Sequence, residues 1–447
     1  MLTGAGLHGL FRVAAYEYPQ LTVGSIELAP DTPPEAVLEQ LLDDLTDRSL
    51  PVTEIAWRHG CRHIARVQPG ADTTTPLPAT PGNPVRPRAA YLVTGGLGGL
   101  GPLAAAWLAA QGAGRIVVNG RTAPSAQAQA ALEQARAHGA EVIVVRGDLA
   151  DPTTTSQLVD AATDGGRDLR GVVHAAAVVE DATIGNLDST LLERVWRGKA
   201  EGAWALHQAT HGHDLDFFVC YSSVAALLGS PGQAAYAAAN AFVDDLIAWR
   251  ASQGLPATGI WWGPWSEVGR GQHMAQRGFA TITPADGTDA LHRILHSGLG
   301  QVAYSPIALQ QWIADYPHLQ DATLLSALLS GQPAEDNADE TARQEVLTAT
   351  DDLTRRQRVE AFLIEQVRDL LGGTTRHIGP HTSLVTLGLD SLGALRLQQR
   401  IARTFKTDLK PGVIWTKPTS ASVAEVLLEQ MGLAPATDTL QQQKADR

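Results

Sequence analysis

The feature that most constrains the fold is a glycine-rich segment, residues 94–101, between a predicted strand and a predicted helix. Residues 90–94 form a short apolar run, and residues 100–111 are rich in alanine and leucine. Glycine lets the backbone approach a ligand closely at such a turn, and the unpaired amides at the helix start attract a phosphate. The predicted contacts of a dinucleotide are Thr94, Gly95, Gly96, Leu97, Gly98, Gly99, Leu100 and Gly101. The alternative, an ordinary tight turn, is disfavoured by the flanking strand and helix.

The same alternation of strand and helix continues along the chain. Further apolar strands are predicted at residues 115–119, 141–146, 171–174, 217–222 and 257–262. Strands separated by helices form βαβ units, whose strands lie parallel in one sheet. The sequence therefore predicts a Rossmann-like, doubly wound α/β domain over residues 89–330.

Arg121 follows the second of these strands and bears on the choice of cofactor. At this position NAD enzymes usually place an acidic side chain on the ribose hydroxyls, whereas a nearby arginine accommodates the 2′-phosphate of NADP. Arg121 therefore favours NADPH, and a solvated surface arginine is the alternative.

Four polar residues downstream suit the reduction of a ketone, which needs a hydride and a proton for the developing alkoxide. Tyr236 is the candidate acid, and the ammonium of Lys199 would lower the pKa of its phenol from about 10. Ser223 would hydrogen-bond the substrate carbonyl, and Asn240, one helical turn beyond Tyr236, would hold a proton-relay water or orient the lysine. Taken singly, these residues could instead be a packing tyrosine, a solvated charge and a helix cap.

A second motif, Gly388-Leu389-Asp390-Ser391-Leu392, places a serine at the predicted start of a helix. A phosphodiester at that position would meet unpaired amides, which suits the attachment of phosphopantetheine to Ser391. An ordinary helix N-cap is the alternative. The apolar face of this helix consists of Leu392, Leu395, Leu397, Ile401 and Phe405. With the amphipathic helix at 354–371, it predicts a four-helix-type bundle over residues 354–433.

Together these motifs resemble the ketoreductase and acyl carrier domains of a modular type I polyketide synthase, the former a short-chain dehydrogenase/reductase. The resemblance includes the order Lys199, Ser223, Tyr236, Asn240 and the segments at 222–241 and 262–265. It implies NADPH-dependent reduction of a β-ketoacyl thioester while the acyl chain is carried on phosphopantetheine at Ser391. The implied partners are the acyl thioester, other polyketide synthase domains or modules and a phosphopantetheinyl transferase. Further cofactor contacts implied are Asp148, Leu149, His174, Ala175 and Ala176.

The resemblance also implies a product configuration. Family members with Leu-Asp-Asp in the loop after the His-Ala-Ala turn give a D-configured β-hydroxyl, and members of the opposite class carry a tryptophan further on. This chain has Val179-Glu180-Asp181, which keeps the last aspartate, and Leu228 at the tryptophan position. We therefore expect the D alcohol; a solvated loop pair is the alternative reading of Glu180 and Asp181.

The remaining segments divide the chain. Residues 1–70 resemble the late part of the structural subdomain that precedes such reductases, with a strand at 21–28, a helix at 34–45 and a strand pair at 54–67. We interpret them as a partial subdomain. Proline- and threonine-rich residues 71–88 and acidic residues 331–353 are predicted linkers, and 434–447 a polar tail.

Composition excludes several functions. The net charge of −13 argues against nucleic-acid binding, and no apolar run is long enough for a membrane span. Cys61 and Cys220 are too few for a disulfide framework or a cysteine-based metal site, so a reducing cytoplasmic setting fits best.

Three alternatives to the implied function remain open: a carrier and scaffold fragment with an inactive reductase fold, a free-standing dehydrogenase for a diffusible substrate, and a reductase that epimerises an α-substituent.

Overall fold

The structure is a computed structural model. It describes residues 4–21, 23–29, 32–46, 54–68, 70, 83–267, 280–306, 312–313, 316, 323–329, 338–371, 378–389, 391–407, 409 and 412–433. The chain divides into two compact units, Met1–Ala308 with Asp321–Leu329, and Leu309–Gln320 with Ser330–Arg447. Asp390, most of the first linker and the polar tail lie outside the described residues.

Seven parallel strands form the main sheet of the first unit, and each predicted strand is present. They are β4 Ala90–Thr94, β5 Arg115–Gly120, β6 Glu141–Arg146, β7 Leu169–His174, β8 Phe217–Ser223, β9 Thr258–Trp262 and β10 Gln301–Tyr304. Their order is β10-β9-β8-β7-β4-β5-β6, so the chain winds outward in both directions from the β4–β7 pair. A ligand crevice is expected at the carboxyl ends of the two strands where the order reverses. The glycine-rich segment follows β4 at this point.

Helices cover both faces of this sheet, because side chains along each strand alternate between them. Tyr91 and Val93 of β4 pack on one face with Trp107 and Leu132, whereas Leu92 packs on the other with residues that include Leu158 and Phe218. The helices are α3 Gly101–Ala110, α4 Ala126–Ala137, α5 Pro152–Thr163, α6 Ser189–Trp196, α7 Gly202–Ala209, α8 Val224–Leu228, α9 Ala234–Ser252 and α10 Pro284–Ser297. The doubly wound Rossmann-like fold predicted from the sequence is confirmed.

The N-terminal segment belongs to the same compact unit. Helix α1, Leu7–Glu17, packs along α9, and α2, Pro34–Thr46, follows it. The strands β1 Ser25–Glu27, β2 Glu54–Arg58 and β3 Cys61–Ile64 form a separate small sheet, in which β2 and β3, the predicted strand pair, are antiparallel. Of the strand predicted at 21–28, residues 25–27 form a strand in the described part of the chain. Val85, in the predicted first linker, is buried in the core of the main sheet domain.

The second unit contains the predicted carrier bundle. Its helices are α12 Ala338–Leu347, α13 Asp352–Leu370, α14 Ser391–Phe405, α15 Val413–Thr416 and α16 Ser420–Gln430, numbered after the short α11 Ser326–Leu329 of the first unit. Val359, Leu397 and Leu427 are among its buried core residues. Within the predicted linker 331–353, α12 forms a helix, and Val346 near its end is buried in this core despite the polar composition around it.

Candidate active site

The glycine-rich loop is shaped by close backbone contacts on one side and space on the other. A Cβ at Gly95, whose φ is 68°, would lie 2.8 Å from the Ala175 carbonyl carbon, and one at Gly101 would lie 2.3 Å from the Gly95 oxygen. At Gly98 and Gly99, by contrast, no described atom lies within 4 Å of a Cβ position. The loop is therefore pressed against the sheet at its ends and open to a ligand in the middle.

The residues present at this loop fit a dinucleotide cofactor. Helix α3 begins at Gly101, directly after the open glycines, and the apolar side chain of Leu100 cannot cap its first amides. Pro102 has no N–H, and the Leu103 and Ala104 amides donate to the Leu100 carbonyl oxygen. The Gly101 amide at the helix start and the helix dipole can therefore bind a pyrophosphate. Leu97 is buried, and Gly96 packs on Val118, so these two residues support the loop from behind.

His174 joins the first strands of the site to the lysine segment. It is fully buried, with Nδ1 2.8 Å from the Thr94 hydroxyl and Nε2 2.9 Å from the Lys199 carbonyl oxygen. Because a carbonyl only accepts, Nε2 must carry the proton and Nδ1 accepts from Thr94. Burial, followed by the charge of Lys199, lowers the pKa of His174 to about 3, so the ring is neutral. The side chains of Thr94 and His174 are thus engaged with each other, and the predicted cofactor contact would use their backbone atoms.

Lys199 lies in a single π-helical turn, Arg197–Glu201, between α6 and α7. Its side chain is buried, and Nζ donates a 2.7 Å hydrogen bond to the Tyr221 carbonyl oxygen on β8. Burial lowers the pKa of Lys199 to about 8, although Cys220 and Asp244 oppose this shift. A π-turn of this kind often marks a functional position in a helix. Here it brings a cation to the carboxyl edge of the sheet.

Tyr236 and Asn240 lie one turn apart on α9, as predicted. The Asn240 Nδ2 donates to the Tyr236 carbonyl oxygen at 2.8 Å, whereas its buried Oδ1 has no hydrogen-bond partner within the described part of the chain. A buried amide oxygen normally has a partner, so a water or another donor fits here. Ser223 caps α8 by accepting from the Ala225 amide at 3.1 Å, which leaves its own hydroxyl hydrogen for an acceptor such as a carbonyl.

Asp244 was not predicted. It lies one turn beyond Asn240 on α9 and is buried, and its Oδ2 accepts a 2.7 Å hydrogen bond from Trp261 Nε1. Burial raises the pKa of Asp244 to about 7, and the hydrogen bond from Trp261 opposes the shift. The spacing of residues 236, 240 and 244, one turn each, was the signal that could have revealed it.

The residues proposed for the adenosine side lie beside β5 and β6. Arg121 is exposed just after β5. Asp148 accepts from Arg197 Nε at 2.8 Å and from the Ala150 amide at 3.0 Å. Burial by itself raises the pKa of Asp148, but these bonds and the charge of Arg121 outweigh it and lower the pKa. Leu149 is buried, so its role in the structure is packing.

The two positions singled out for stereocontrol lie near the start of α9. Asp181 Oδ1 accepts a 3.1 Å hydrogen bond from Gln233 Nε2, and Glu180 forms an ion pair with Arg194. The Leu228 carbonyl oxygen accepts from the Tyr16 hydroxyl at 2.8 Å. Both positions therefore flank the segment 229–233 that leads into the helix of Tyr236.

In the second unit, α14 begins at Ser391, as predicted for the carrier serine. Leu389 just before it is buried, and the preceding loop is fixed by a 2.8 Å bond from the Leu384 amide to the Pro418 carbonyl oxygen. The side chains of Ser391, Leu392 and Leu395 lie outside the described residues, whereas Leu397, Ile401 and Phe405 form the predicted apolar face.

Lys199 carries a cost in stability that can be measured. A pKa lowered from 10.5 to about 8 corresponds to roughly 3 kcal/mol against the buried ammonium. Lys199→Met should therefore raise the free energy of unfolding at pH 7, by roughly 1–3 kcal/mol after loss of the bond to Tyr221. Denaturant unfolding of both proteins measures this difference.

The pH dependence of that difference identifies its cause. Because the folded pKa is the lower one, the unfolded chain holds more protons between pH 8 and pH 10.5, so stability should rise with pH there. The methionine variant should lack this rise. Equal slopes in the two proteins would show that Lys199 is not the responsible group.

No group of three or more histidine, cysteine, aspartate or glutamate residues arranged to hold a metal occurs among the described residues. Across the same residues, no helix combines the length and apolarity that crossing a membrane requires. Cys61 is exposed, Cys220 is buried, and neither forms a disulfide.

The first unit has the features of a Rossmann-type reductase: a parallel sheet, a glycine-rich loop where the strand order reverses, a buried lysine, and a helix that carries a tyrosine. A helical carrier module follows it in the sequence. Comparison with family models agrees: residues 89–267 match the KR domain and residues 361–427 match the phosphopantetheine attachment site. The chain belongs to the ketoreductase family of modular polyketide synthases and also contains an acyl carrier domain, C-terminal to the ketoreductase in the sequence.

Solved structures and a curated relative give the extent of the similarity. One similar solved structure is that of A-type ketoreductases from a modular polyketide synthase. Its sequence is 31% identical to this chain, the TM-score is 0.63, and the match covers 72% of this chain and 68% of that one. The first ketoreductase of the tylosin polyketide synthase is 31% identical with a TM-score of 0.63, covering 74% and 72%. A phenolphthiocerol/phthiocerol polyketide synthase from Mycobacterium tuberculosis is 39% identical over 348 residues, which is 77% of this chain but only 16% of that protein.

Proposed function

We propose that the chain reduces a β-ketoacyl thioester to a D-β-hydroxyacyl thioester with NADPH, while the acyl chain is attached through phosphopantetheine to Ser391. Three observations support the proposal: Ser223 ends β8, Lys199 Nζ donates to the Tyr221 carbonyl oxygen of the same strand, and the following long helix α9 holds Tyr236 and Asn240. All lie in the domain that holds the open glycine loop. The carrier domain supports an acyl thioester over a diffusible ketone.

In this mechanism each residue of the tetrad has one task. NADPH supplies the hydride when bound. The Ser223 hydroxyl donates a hydrogen bond to the substrate carbonyl, and the Tyr236 phenol transfers a proton to the oxygen as negative charge develops there. The Lys199 ammonium lowers the pKa of the phenol, and the Asn240 amide oxygen binds the water that returns a proton to it.

The proposed D configuration rests on Asp181. Its bond to Gln233 ties the loop after β7 to the segment before Tyr236, so the acidic loop can restrict the side from which the acyl arm enters. Leu228 lies at the other end of that segment. The partners we propose are other polyketide synthase domains or modules and a phosphopantetheinyl transferase, in the cytoplasm where NADPH is supplied.

Oxidation of NADPH by a β-ketoacyl pantetheine thioester, followed by absorbance, tests the proposal. Chiral chromatography of the product then gives its configuration. Turnover to the D alcohol is expected. The L alcohol as main product would refute the stereochemical part, and absence of turnover with bound cofactor would favour the carrier and scaffold alternative. Exchange of an α-hydrogen without net oxidation of NADPH would favour the epimerising reductase.

Arg121 should determine the choice between NADPH and NADH. Loss of a charge-assisted hydrogen bond to the 2′-phosphate costs about 1.5–3 kcal/mol, so Arg121→Gln should raise the KM for NADPH by roughly tenfold or more. The KM for NADH, which lacks this phosphate, should not change. Arg136→Gln, which changes an exposed arginine on α4, is the control. An equal effect on both cofactors would show that Arg121 does not contact the phosphate.

A further inference from the structure

Helix α1 is in direct backbone contact with the helix that carries Tyr236. A Cβ at Gly9 would lie 2.5 Å from the Ala237 carbonyl oxygen, one residue beyond Tyr236. A Cβ at Gly229 would lie 2.6 Å from the ring of Tyr16. The N-terminal segment is therefore packed against the segment 229–233 and α9, with no layer of side chains between some of these positions.

Glu17, the last residue of α1, joins two loops that lie far away in the sequence. Its Oε2 accepts a 2.6 Å hydrogen bond from the Ile184 amide, and its Oε1 accepts a 2.8 Å bond from the Gly232 amide. The same loops are also bonded to each other, since the Ala182 amide donates to the Gly232 carbonyl oxygen at 2.8 Å. The Glu17 carboxylate thus adds two hydrogen bonds to the junction of residues 181–184 with residues 229–233.

The local environment does not favour an anion at this position. A carboxylate at the C-terminal end of a helix is repelled by the helix dipole, and burial raises the pKa of Glu17 although the two amides lower it. A residue that contradicts the local preference is expected where it serves a function. Here the hydrogen bonds from the Ile184 and Gly232 amides offset the unfavourable position of the carboxylate.

The loop held by Glu17 reaches the catalytic tyrosine through apolar contacts. Ile184 and Leu187 pack in a cluster with Val13 of α1. Leu187 also packs in the cluster that contains Tyr236. A displacement of residues 181–187 therefore acts on both the Asp181 loop and the surroundings of the phenol.

We infer that Glu17 is a positioning residue that holds residues 181–184 and 229–233 together as one wall of the substrate site, and thereby determines the face of the β-ketoacyl thioester presented to Tyr236. This inference rests on the proposed function. It assigns the N-terminal segment a direct part in selecting the product configuration, through the hydrogen bonds that the Glu17 carboxylate accepts from the Ile184 and Gly232 amides.

Glu17→Gln tests the inference, because the amide keeps the shape but turns one acceptor into a donor that faces a backbone amide. The expected result is a fall of roughly tenfold to a hundredfold in kcat/KM for a β-ketoacyl pantetheine thioester. We also expect a mixed product configuration and an unchanged KM for NADPH. A variant with the configuration and kcat/KM of the unaltered chain would overturn the inference, whatever its melting temperature.

Asp245→Asn is the matched control, since Asp245 Oδ2 accepts from the Gly6 amide at 3.1 Å and anchors the opposite end of α1. It should change stability without changing the configuration; a mixed product from this variant as well would assign the effect to general loosening of α1 and overturn the role of Glu17. If Glu17→Gln does not fold, Glu17→Asp replaces it, because aspartate keeps the charge but is too short to reach both amides. Its product configuration and kcat/KM are then judged in the same way. Failure of the unaltered chain to turn over would instead refute the proposed function.

Discussion

Replacement of Tyr236 by phenylalanine is expected to reduce the rate of NADPH oxidation by about 10²–10⁴-fold, the usual contribution of a general acid. The ring remains to pack with Val195 and Leu191, so the fold and the glycine loop should be unaffected. What is lost is the proton donor for the carbonyl oxygen. The rate is measured by absorbance with a β-ketoacyl pantetheine thioester as substrate.

Two controls distinguish lost chemistry from lost structure. Tyr304→Phe removes a hydroxyl from strand β10, which lies at the edge of the sheet, and should retain near-normal turnover. The affinity of Tyr236→Phe for NADPH, measured by fluorescence, should also be retained. Substantial reduction by Tyr236→Phe would show that another group supplies the proton.

Replacement of Ser391 by alanine is expected to abolish covalent loading of phosphopantetheine, because no other hydroxyl can replace the nucleophile at the start of α14. The measurement is the mass of the intact protein after incubation with a phosphopantetheinyl transferase and coenzyme A. Ser383→Ala, in the loop before this helix, should load normally.

The same serine variant also separates the two activities. A free pantetheine thioester does not need the carrier arm, so Ser391→Ala should reduce it at the rate of the unaltered chain. Addition of phosphopantetheine to Ser391→Ala, or loss of loading in Ser383→Ala alone, would show that the attachment site is not Ser391.

Short apolar runs and glycine spacing were enough to predict the sheet domain. The inner strands β4 and β8 are buried almost throughout, so their sequences are largely apolar. The edge strands β6 and β10 have exposed residues, and the four-residue β10 gave the weaker signal. Helix α12 was missed for a similar reason, since its polar sequence gives little sign that Val346 enters the carrier core.

The candidate site was predictable where its residues follow a local motif, and not where it depends on distant contacts. Tyr236 and Asn240 are one turn apart on α9, so their proximity follows from helix geometry. The bonds of Glu17 to Ile184 and Gly232 span 167 and 215 residues, and no local pattern specifies them. The burial of Asp244 likewise depends on Trp261 of a neighbouring strand.

The central claim is that the acyl chain carried on Ser391 is reduced with hydride from NADPH. It is tested most directly by loading the carrier with a β-ketoacyl phosphopantetheine arm, adding NADPH deuterated at the transferable position, and measuring the mass of the arm. We predict a gain of one deuterium and one hydrogen that depends on the Tyr236 hydroxyl. An arm of unchanged mass, on a protein shown to bind NADPH, would contradict the claim.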